Sequence, residues 1–321
     1  MEIILNNKTK AAIRILDILE AKNKYHNGEN ISEFLRSKLQ TNKNTSEIIE
    51  VVYDFQAGEY ISNFKKNPTE SANYSRELAE ILDHHITCHD TLLDIGCGEL
   101  TTISLVLSTL NIKPKKLLAF DISWSRIFNG CDFAREMLSE DNYKRIIPFV
   151  SDIAEIPLKD NSIDITTSSF ALYSSHGRLK ELLNELFRIT KVKILLFEPC
   201  YEIASSLGKK RMDELKYIRN IEETVKELGG TLVQRLILKN NANSLTPGAC
   251  YVIHPPKNAS SIENLTNQEK EIEFSIPGTN YQLKKIDNFY ISLETGLCFP
   301  ILKSIPILRN KSAILASALN V

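Results

Sequence analysis

The stretch from Leu92 to Leu100, which reads LLDIGCGEL, constrains this chain more than any other. An apolar run carries an acidic residue, Asp94, and then turns through Gly96 and Gly98, and a helical pattern begins at about Thr101. A buried strand that leads through a glycine turn into a helix is the nucleotide-binding corner of a doubly wound α/β sheet. Glycine lets the backbone turn sharply and approach a ligand, and the first N–H groups of the helix attract a carboxylate or phosphate.

Two cofactor families use such a corner. The dinucleotide fingerprint requires a third glycine at position 101, where this chain has Thr101. An NAD-dependent oxidoreductase is therefore the least favoured function. The acidic residue two positions before the glycines, Asp94, instead resembles motif I of the class I S-adenosylmethionine-dependent methyltransferases. That family often has a third glycine at position 100, where this chain has Leu100. The neighbouring segments are therefore needed to decide which cofactor family the chain resembles.

Three later segments extend the resemblance in the order that this family shows. Residues 117–120 form a second apolar strand that ends in Asp121, about 20 residues after the glycines. Residues 152–164, DIAEIPLKDNSID, resemble the phrase that follows the third strand (146–150) in these methyltransferases. A fourth strand at 163–167 then leads into the position of motif IV, beside the transferable methyl group.

This resemblance implies S-adenosylmethionine as the cofactor. Asp121 would accept hydrogen bonds from the ribose hydroxyls, as acidic residues at this place do in dinucleotide folds as well. Asp152 would bind the adenine amino group, and the backbone N–H of Ile153 a ring nitrogen. The full implied set of cofactor-binding residues is Asp94, Ile95, Gly96, Cys97, Gly98, Asp121, Ile122, Ser123, Asp152, Ile153, Ser169 and Phe170.

The remaining segments complete an α/β fold with a Rossmann-like, seven-stranded methyltransferase sheet. A fifth strand is predicted at 192–197, a long helical stretch at 201–228, and a terminal pair of strands at 231–238 and 249–254. The predicted organisation is a helical N-terminal extension or lid (1–70), a cofactor-binding domain (71–256), a polar linker (257–270) and a small β-rich module (271–321).

The C-terminal module resembles a zinc-ribbon-related β module that activates tRNA methyltransferases. The usual Cys-Pro knuckle is replaced by Ile276-Pro277, and only Cys298 lies nearby. One thiol cannot form a tetrahedral zinc site, so no metal is predicted. The alternative is an unrelated β appendage that completes the core or forms a contact between copies of a homo-oligomer.

The N-terminal segment 48–61 brings Tyr53, Gln56 and Tyr60 close together with a glycine, which is more than a packing stripe requires. In many small-molecule methyltransferases such a segment covers the cofactor, so these three side chains are candidate substrate-binding residues. The alternative is an amphipathic helix whose aromatic side chains only cover the sheet.

Methyl transfer from a sulfonium requires alignment of the acceptor and, for a hydroxyl or a protonated amine, a general base. His176 follows the motif IV strand and titrates near neutral pH, so it is the first candidate for this base. Tyr173 and Tyr60 are candidates for positioning the acceptor, or else ordinary pocket aromatics.

The composition of the chain limits the classes of methyl acceptor that we expect. The formal net charge of the 321 residues is −1, which provides no global field for nucleic acid. The six cysteines form no CxxC pair, and neither a signal peptide nor a membrane-spanning run is recognised. We therefore expect a cytoplasmic enzyme that methylates oxygen or nitrogen of a small or medium-sized metabolite, such as a sugar or natural-product intermediate. The alternatives are an RNA or protein methyltransferase and a non-catalytic cofactor-binding partner subunit.

Overall fold

The computed structural model describes residues 12–173, 175, 177–241, 243–256 and 273–319. The chain divides into two compact units, Met1–Gln56 and Ala57–Val321. The first unit contains helices α1 (Ile15–His26), α2 (Ile31–Lys38) and α3 (Ser46–Phe55). They bury a small core of their own around Leu35 and Ile48. None of the helices in the described ranges is both long and apolar enough to cross a bilayer.

The second unit contains the predicted α/β sheet. Its elements up to the end of the sheet are α4 (Glu59–Lys66), α5 (Pro68–Asp83), β1 (Thr91–Ile95), α6 (Thr101–Thr109), β2 (Lys116–Asp121), α7 (Trp124–Met137), α8 (Glu140–Tyr143), β3 (Ile146–Val150), β4 (Ile163–Ser169), α9 (Leu179–Ile189), β5 (Thr190–Pro199), α10 (Ser206–Glu214), α11 (Ile221–Glu227), β6 (Thr231–Ile237) and β7 (Gly248–His254).

The seven strands lie in the order β3-β2-β1-β4-β5-β7-β6. All are parallel except β7, which runs antiparallel to both β5 and β6. The predicted fold class is thus confirmed. Because the chain runs outward from β1 to β3 and then returns to β4, the strand order reverses between β1 and β4. A doubly wound sheet binds ligands at such a reversal, beyond the carboxyl ends of the strands.

Two apolar layers cover the sheet. Alternate residues of β1 and β2 face opposite sides, so Leu93 and Leu118 join one layer and Leu92 and Leu117 the other. Helices α5 and α6 pack on the second layer, and α9 and α11 on the first. Both faces are covered, which explains why β1 and β2 read as almost continuous apolar runs.

Left-handed residues divide two segments of the chain. The segment 48–61 contains the end of one helix at Phe55 and the start of another at Glu59, because Gly58 between them has a φ of 102°. The stretch at 201–228 is a 3₁₀ turn followed by α10 and α11. Lys216 and Asn220 between these helices have φ values of 55° and 60°. Left-handed residues end an α-helix, and helical periodicity alone does not reveal them.

The C-terminal module is a small antiparallel sheet of β8 (Lys284–Ile286), β9 (Phe289–Ile291), β10 (Leu297–Leu302), β11 (Ile305–Pro306) and β12 (Ile314–Leu315). It is attached to the edge strand β3, since the N–H of Leu308 donates to the carbonyl of Val150 at 2.9 Å. Phe274 and Phe299 lie in the same core layer as β1 and β2. The module thus completes the main core, whereas its resemblance to an activator module stays a prediction. The expected linker at 257–270 lies outside the described residues.

Candidate active site

The glycine turn after β1 has the left-handed backbone that its sequence predicts. The φ angles of Gly96 and Gly98 are 60° and 55°. A Cβ atom on Gly96 would lie 2.6 Å from the Cβ of Ala171 in the loop after β4. No real side chain tolerates that distance, so Gly96 allows the two loops at the sheet reversal to touch.

Leu100 explains how the chain dispenses with the third glycine. It precedes α6 with a φ of 54°, a left-handed conformation that costs a residue with a side chain roughly 1–2 kcal/mol. Its side chain is fully buried in the core layer beneath α5 and α6. Burial of a leucine side chain contributes about 1.5–3 kcal/mol, which offsets the strain.

Asp121, at the carboxyl end of β2, is buried beside the glycine turn. Its carboxylate accepts the backbone N–H of Gly98 at 3.1 Å and that of Ser123 at 2.9 Å. Burial raises its pKa, and the buried Arg126 guanidinium nearby opposes that shift. The carboxylate thus ties the turn to β2 and lies at the edge where the resemblance places a ribose.

Asp94 is a buried carboxylate without a hydrogen-bond partner among the described residues. Burial, and secondly the charge of Asp121, raise the pKa of Asp94 well above its usual value. A buried charge is costly unless it is paired. A cation placed here would remove that cost. The amino group and the sulfonium of S-adenosylmethionine are cations, so the residues present fit this cofactor.

Asp152 and Ile153 follow β3 on the far side of the glycine turn. Oδ1 of Asp152 accepts the backbone N–H of Ala154 at 3.0 Å, which fixes the direction of the half-buried carboxylate. Cδ1 of Ile153 lies 3.8 Å from the Cβ position of Gly96. Ile153 therefore borders the glycine turn, with Asp152 next to it in the chain, and the binding of adenine by these residues stays a prediction.

The loop after β4 is held by Tyr74 of α5. The hydroxyls of Tyr74 and Ser169 are 2.9 Å apart, and the ring of Tyr74 lies edge-on to that of Phe170 at 6.4 Å. Phe170 itself has a φ of 52°. Tyr173 packs against the ring of Tyr217 at 5.0 Å. His176, the predicted base, lies outside the described residues.

Glu198, at the end of β5, is fully buried beneath this loop. Its Oε1 accepts the hydroxyl of Ser168 at 2.8 Å and the backbone N–H groups of Ala171 and Leu172 at 3.0 Å each. Its Oε2 is buried without a described partner. Burial raises the pKa of Glu198 to about 7, although the donated hydrogen bonds oppose the shift. This residue fixes the shape of the loop from below.

Helix α4 covers the glycine turn from above. The Glu99 carboxylate accepts the backbone N–H groups of Gly58 at 2.8 Å, Tyr60 at 3.4 Å and Ile61 at 2.9 Å. The ring of Tyr60 consequently lies 3.7 Å from the Cβ position of Gly98. Tyr60 is thus brought to the predicted site. Tyr53 and Gln56 belong to the other compact unit, and their substrate-binding role stays a prediction.

The sequence did not single out three residues that build this corner. Glu99 follows the second glycine directly, and that position was the available signal. Arg126 lies in the first turn of α7, after the N-cap Ser123, with its guanidinium 4.8 Å from the centre of the Tyr60 ring. Gly130 lets α7 approach, since its Cβ would lie 2.6 Å from the carbonyl carbon of Glu99.

The cysteines do not add a metal centre to this corner. Cys97 lies in the glycine turn and is half-buried, and burial raises its pKa well above the usual value, which makes it a poor metal ligand. All six cysteines are free. The described residues include no group of three or more histidine, cysteine or acidic side chains that would hold a metal ion.

Comparison with known proteins agrees with this geometry. Residues 92–193 match a family described as a methyltransferase domain. A search of curated proteins gave no significant match.

Solved structures share the fold at low identity. A complex between the Haloferax volcanii Trm112 methyltransferase activator and a putative methyltransferase gives a TM-score of 0.50 at 14% identity, covering 64% of this chain and 97% of that one. Magnesium protoporphyrin IX methyltransferase from Synechocystis PCC 6803 gives 0.49 at 11%, covering 64% and 98%. Geranyl diphosphate C-methyltransferase from Streptomyces coelicolor A3(2) gives 0.44 at 13%, covering 56% and 78%.

Proposed function

We propose that this chain, through its methyltransferase domain and with S-adenosylmethionine as methyl donor, methylates an oxygen or nitrogen atom of a small or medium-sized metabolite. A sugar or natural-product intermediate is the acceptor that we favour. The cover that α4 forms over the glycine turn carries this proposal, because Tyr60 lies against Gly98 on a helix anchored by Glu99. Enclosed sites suit small molecules, which bury most of their surface when bound.

The charge of the chain also favours a small metabolite over nucleic acid as the methyl acceptor. Proteins that hold nucleic acid neutralise several phosphates with lysine and arginine. The chain has 39 basic and 40 acidic residues, and buried carboxylates at Asp94, Asp121 and Glu198 surround the corner. This distribution opposes a polyanionic strand close to the methyl group.

In this proposal the cofactor is held by the residues around the glycine turn. Asp121 would bind the ribose hydroxyls, Asp152 the adenine amino group, and the Ile153 N–H a ring nitrogen. The partnerless carboxylate of Asp94 would face the cationic end. The other contacts would come from Ile95, Gly96, Cys97, Gly98, Ile122, Ser123, Ser169 and Phe170.

When bound, S-adenosylmethionine supplies a methyl group on a positively charged sulfur, ready for in-line displacement. The chain must align the acceptor with that bond, which can account for several kcal/mol of the barrier. Tyr173 and Tyr60 would position the acceptor. His176 would take its proton if the acceptor is a hydroxyl or an ammonium.

The loop that carries Tyr173 is held from below, which suits a positioning role. The backbone N–H of Tyr173 donates to the carboxylate of Glu198, which also holds Ala171 and Leu172. A loop fixed by one buried carboxylate keeps its side chains within the narrow geometry that displacement requires. A cytoplasmic location and a homo-oligomer through the C-terminal module remain predictions.

The test is transfer of a labelled methyl group from S-adenosylmethionine into a host extract that is split into metabolites, RNA and protein. Label in the metabolite fraction supports the proposal. Label in RNA or protein contradicts it and favours the alternative in which the C-terminal module recognises a macromolecule. Binding of S-adenosylmethionine without label in any fraction favours the non-catalytic partner subunit.

A further inference from the structure

A polar cavity of about 550 Å³ opens between the junction of α4 with α5 and the loop after β6. Residues of both segments form its walls, and all but Pro68 are polar or charged: Lys66, Asn67, Thr69, Glu70, Asn73, Lys239, Asn240 and Asn241. Its volume is in the range of small-molecule sites, about 300–1,000 Å³. None of these residues is among those that we propose bind the cofactor around the glycine turn.

The cavity lies at the functional edge of the sheet. Strand β6 is antiparallel to β7, which is antiparallel to β5, so β6 points in the same direction as β4 and β5. The loop after Ile237 therefore emerges at the same edge as the loop after Ser169. Ligands of doubly wound sheets bind beyond this edge.

The loop that forms one wall is fixed to α5. The Glu77 carboxylate accepts the backbone N–H of Lys239 at 2.7 Å and that of Asn240 at 2.8 Å. It also accepts the side-chain amide of Asn240 at 2.9 Å. One carboxylate thus holds the two walls together, and the cavity is formed before a ligand arrives.

Each wall is linked to the end of β4 and the loop after it through one intervening residue. The side-chain oxygen of Asn241 accepts the backbone N–H of Gly248 at 2.9 Å, and the ring of Phe170 reaches to 3.4 Å from the Cβ position of Gly248. On the other wall, Asn73 precedes Tyr74, whose hydroxyl bonds Ser169. Tyr74 and Gly248 therefore connect the two walls of the cavity to Ser169 and Phe170.

The charged and polar side chains of the cavity indicate the chemical class of ligand that it can bind. No ion pair joins Lys66 or Lys239 to another residue in the described part of the chain. Glu70 is the one acidic residue among the nine that line the cavity. The side-chain amides of Asn240 and Asn241 hold the wall through Glu77, Leu238 and Gly248. The amides of Asn67 and Asn73 are the ones that can bond hydroxyl groups of a ligand. Two lysines favour an anionic group on the same molecule.

We propose that this cavity binds the methyl acceptor, and that the acceptor is a hydroxyl-bearing small molecule with one anionic group, a carboxylate or a phosphate monoester. This inference rests on the proposed function. It adds the location of the acceptor and its chemical class.

The test uses the full chain, labelled S-adenosylmethionine and the small-molecule fraction of a host extract. The labelled product is applied to an anion-exchange column before and after treatment with alkaline phosphatase. Retention that phosphatase abolishes identifies a phosphate monoester, and retention that survives identifies a carboxylate. The initial rate at low extract concentration, which is proportional to kcat/KM, is then compared between variants.

The decisive variant is the double charge reversal K66E/K239E, and the matched control is K285E/K303E, two exposed lysines of the C-terminal module. We expect the first pair to lower the rate at least tenfold, with the Kd for S-adenosylmethionine within twofold of the wild type, and the second pair to leave the rate unchanged. A labelled product that passes through the column, or an equal rate in K66E/K239E, overturns the assignment of the cavity alone. The absence of any labelled small molecule overturns the proposed function itself.

Discussion

The carboxylate of Glu99 accepts the backbone N–H of Ile61 at 2.9 Å, across 38 residues of sequence. It also accepts the N–H groups of Gly58 and Tyr60, so one buried side chain satisfies the free donors at the start of α4. Because Glu99 is part of the glycine turn, its contact joins helix α4, which covers the turn, to the residues that we propose bind the cofactor. Loss of the contact should therefore affect both.

We expect Glu99→Ala to lower the free energy of unfolding by about 1–3 kcal/mol, the cost of buried donors left without an acceptor. Hydrogen–deuterium exchange at Gly58, Tyr60 and Ile61 should accelerate, and affinity for S-adenosylmethionine should fall. Glu99→Gln keeps an acceptor oxygen and is the matched control. Unchanged exchange at these three amides in Glu99→Ala would contradict the role of Glu99.

Asp121→Ala and Asp152→Ala should each weaken binding of S-adenosylmethionine by about 1–3 kcal/mol, because each removes a carboxylate that we propose accepts a hydrogen bond from the cofactor. Isothermal titration calorimetry measures this directly. Asp141→Ala, an exposed acidic residue of α8, controls for the loss of one negative charge. If both site variants bind like Asp141→Ala, the assignment of these residues to the cofactor is wrong.

Gly96→Ala tests the contact between the two loops at the sheet reversal. Gly278→Ala is its control, since Gly278 has a similar φ of 70° but its Cβ would meet nothing closer than 3.8 Å. Backbone strain of about 1–2 kcal/mol applies to both. Only Gly96→Ala adds the clash with Ala171, so it should unfold at clearly lower urea concentration and bind the cofactor more weakly. Equal destabilisation of the two variants would refute the steric argument.

Glu198 should make stability depend on pH. Its pKa is raised from 4.5 to about 7, so the folded chain binds a proton that the unfolded chain releases in this range. The stabilisation is complete below about pH 4.5 and is lost as the pH rises through 7, by roughly 3 kcal/mol. Glu198→Gln carries no ionisable group there. Its free energy of unfolding should fall less between pH 5 and pH 8 than that of the wild type, and parallel pH profiles would exclude this origin.

Phe299→Ala tests whether the C-terminal module is part of the main core. Phe299 is fully buried in the layer that includes β1, and a phenylalanine truncated in a core costs about 3–5 kcal/mol. The unfolding transition, followed by the fluorescence of Trp124, should shift as a whole. Leu302→Ala, in the same strand but 49% exposed, should change it little. A separate early transition of the module would contradict a shared core.

Much of the fold follows from local patterns in the sequence. The apolar runs of β1 to β5, the acidic residues at or just after the carboxyl ends of β1, β2, β3 and β5, and the glycine turn predict a doubly wound sheet, and the observed order of strands agrees. Breaks inside helices were less predictable. Gly58, Lys216 and Asn220 separate consecutive helices through their positive φ angles, and a hydrophobic period of 3.6 residues does not reveal φ.

The candidate site, like the fold, has one part that the sequence predicts and another that it does not. The sequence by itself determined the strand–turn–helix corner, because Asp94, Gly96 and Gly98 belong to one continuous stretch whose backbone geometry is local. Only the tertiary structure decided which distant groups meet there. Glu99 holds α4, Glu198 holds the loop after β4, and Glu77 joins the walls of the polar cavity. Such contacts depend on strand order and on how closely helices approach the sheet, and these arise from packing of the whole core and not from the spacing of residues along the chain.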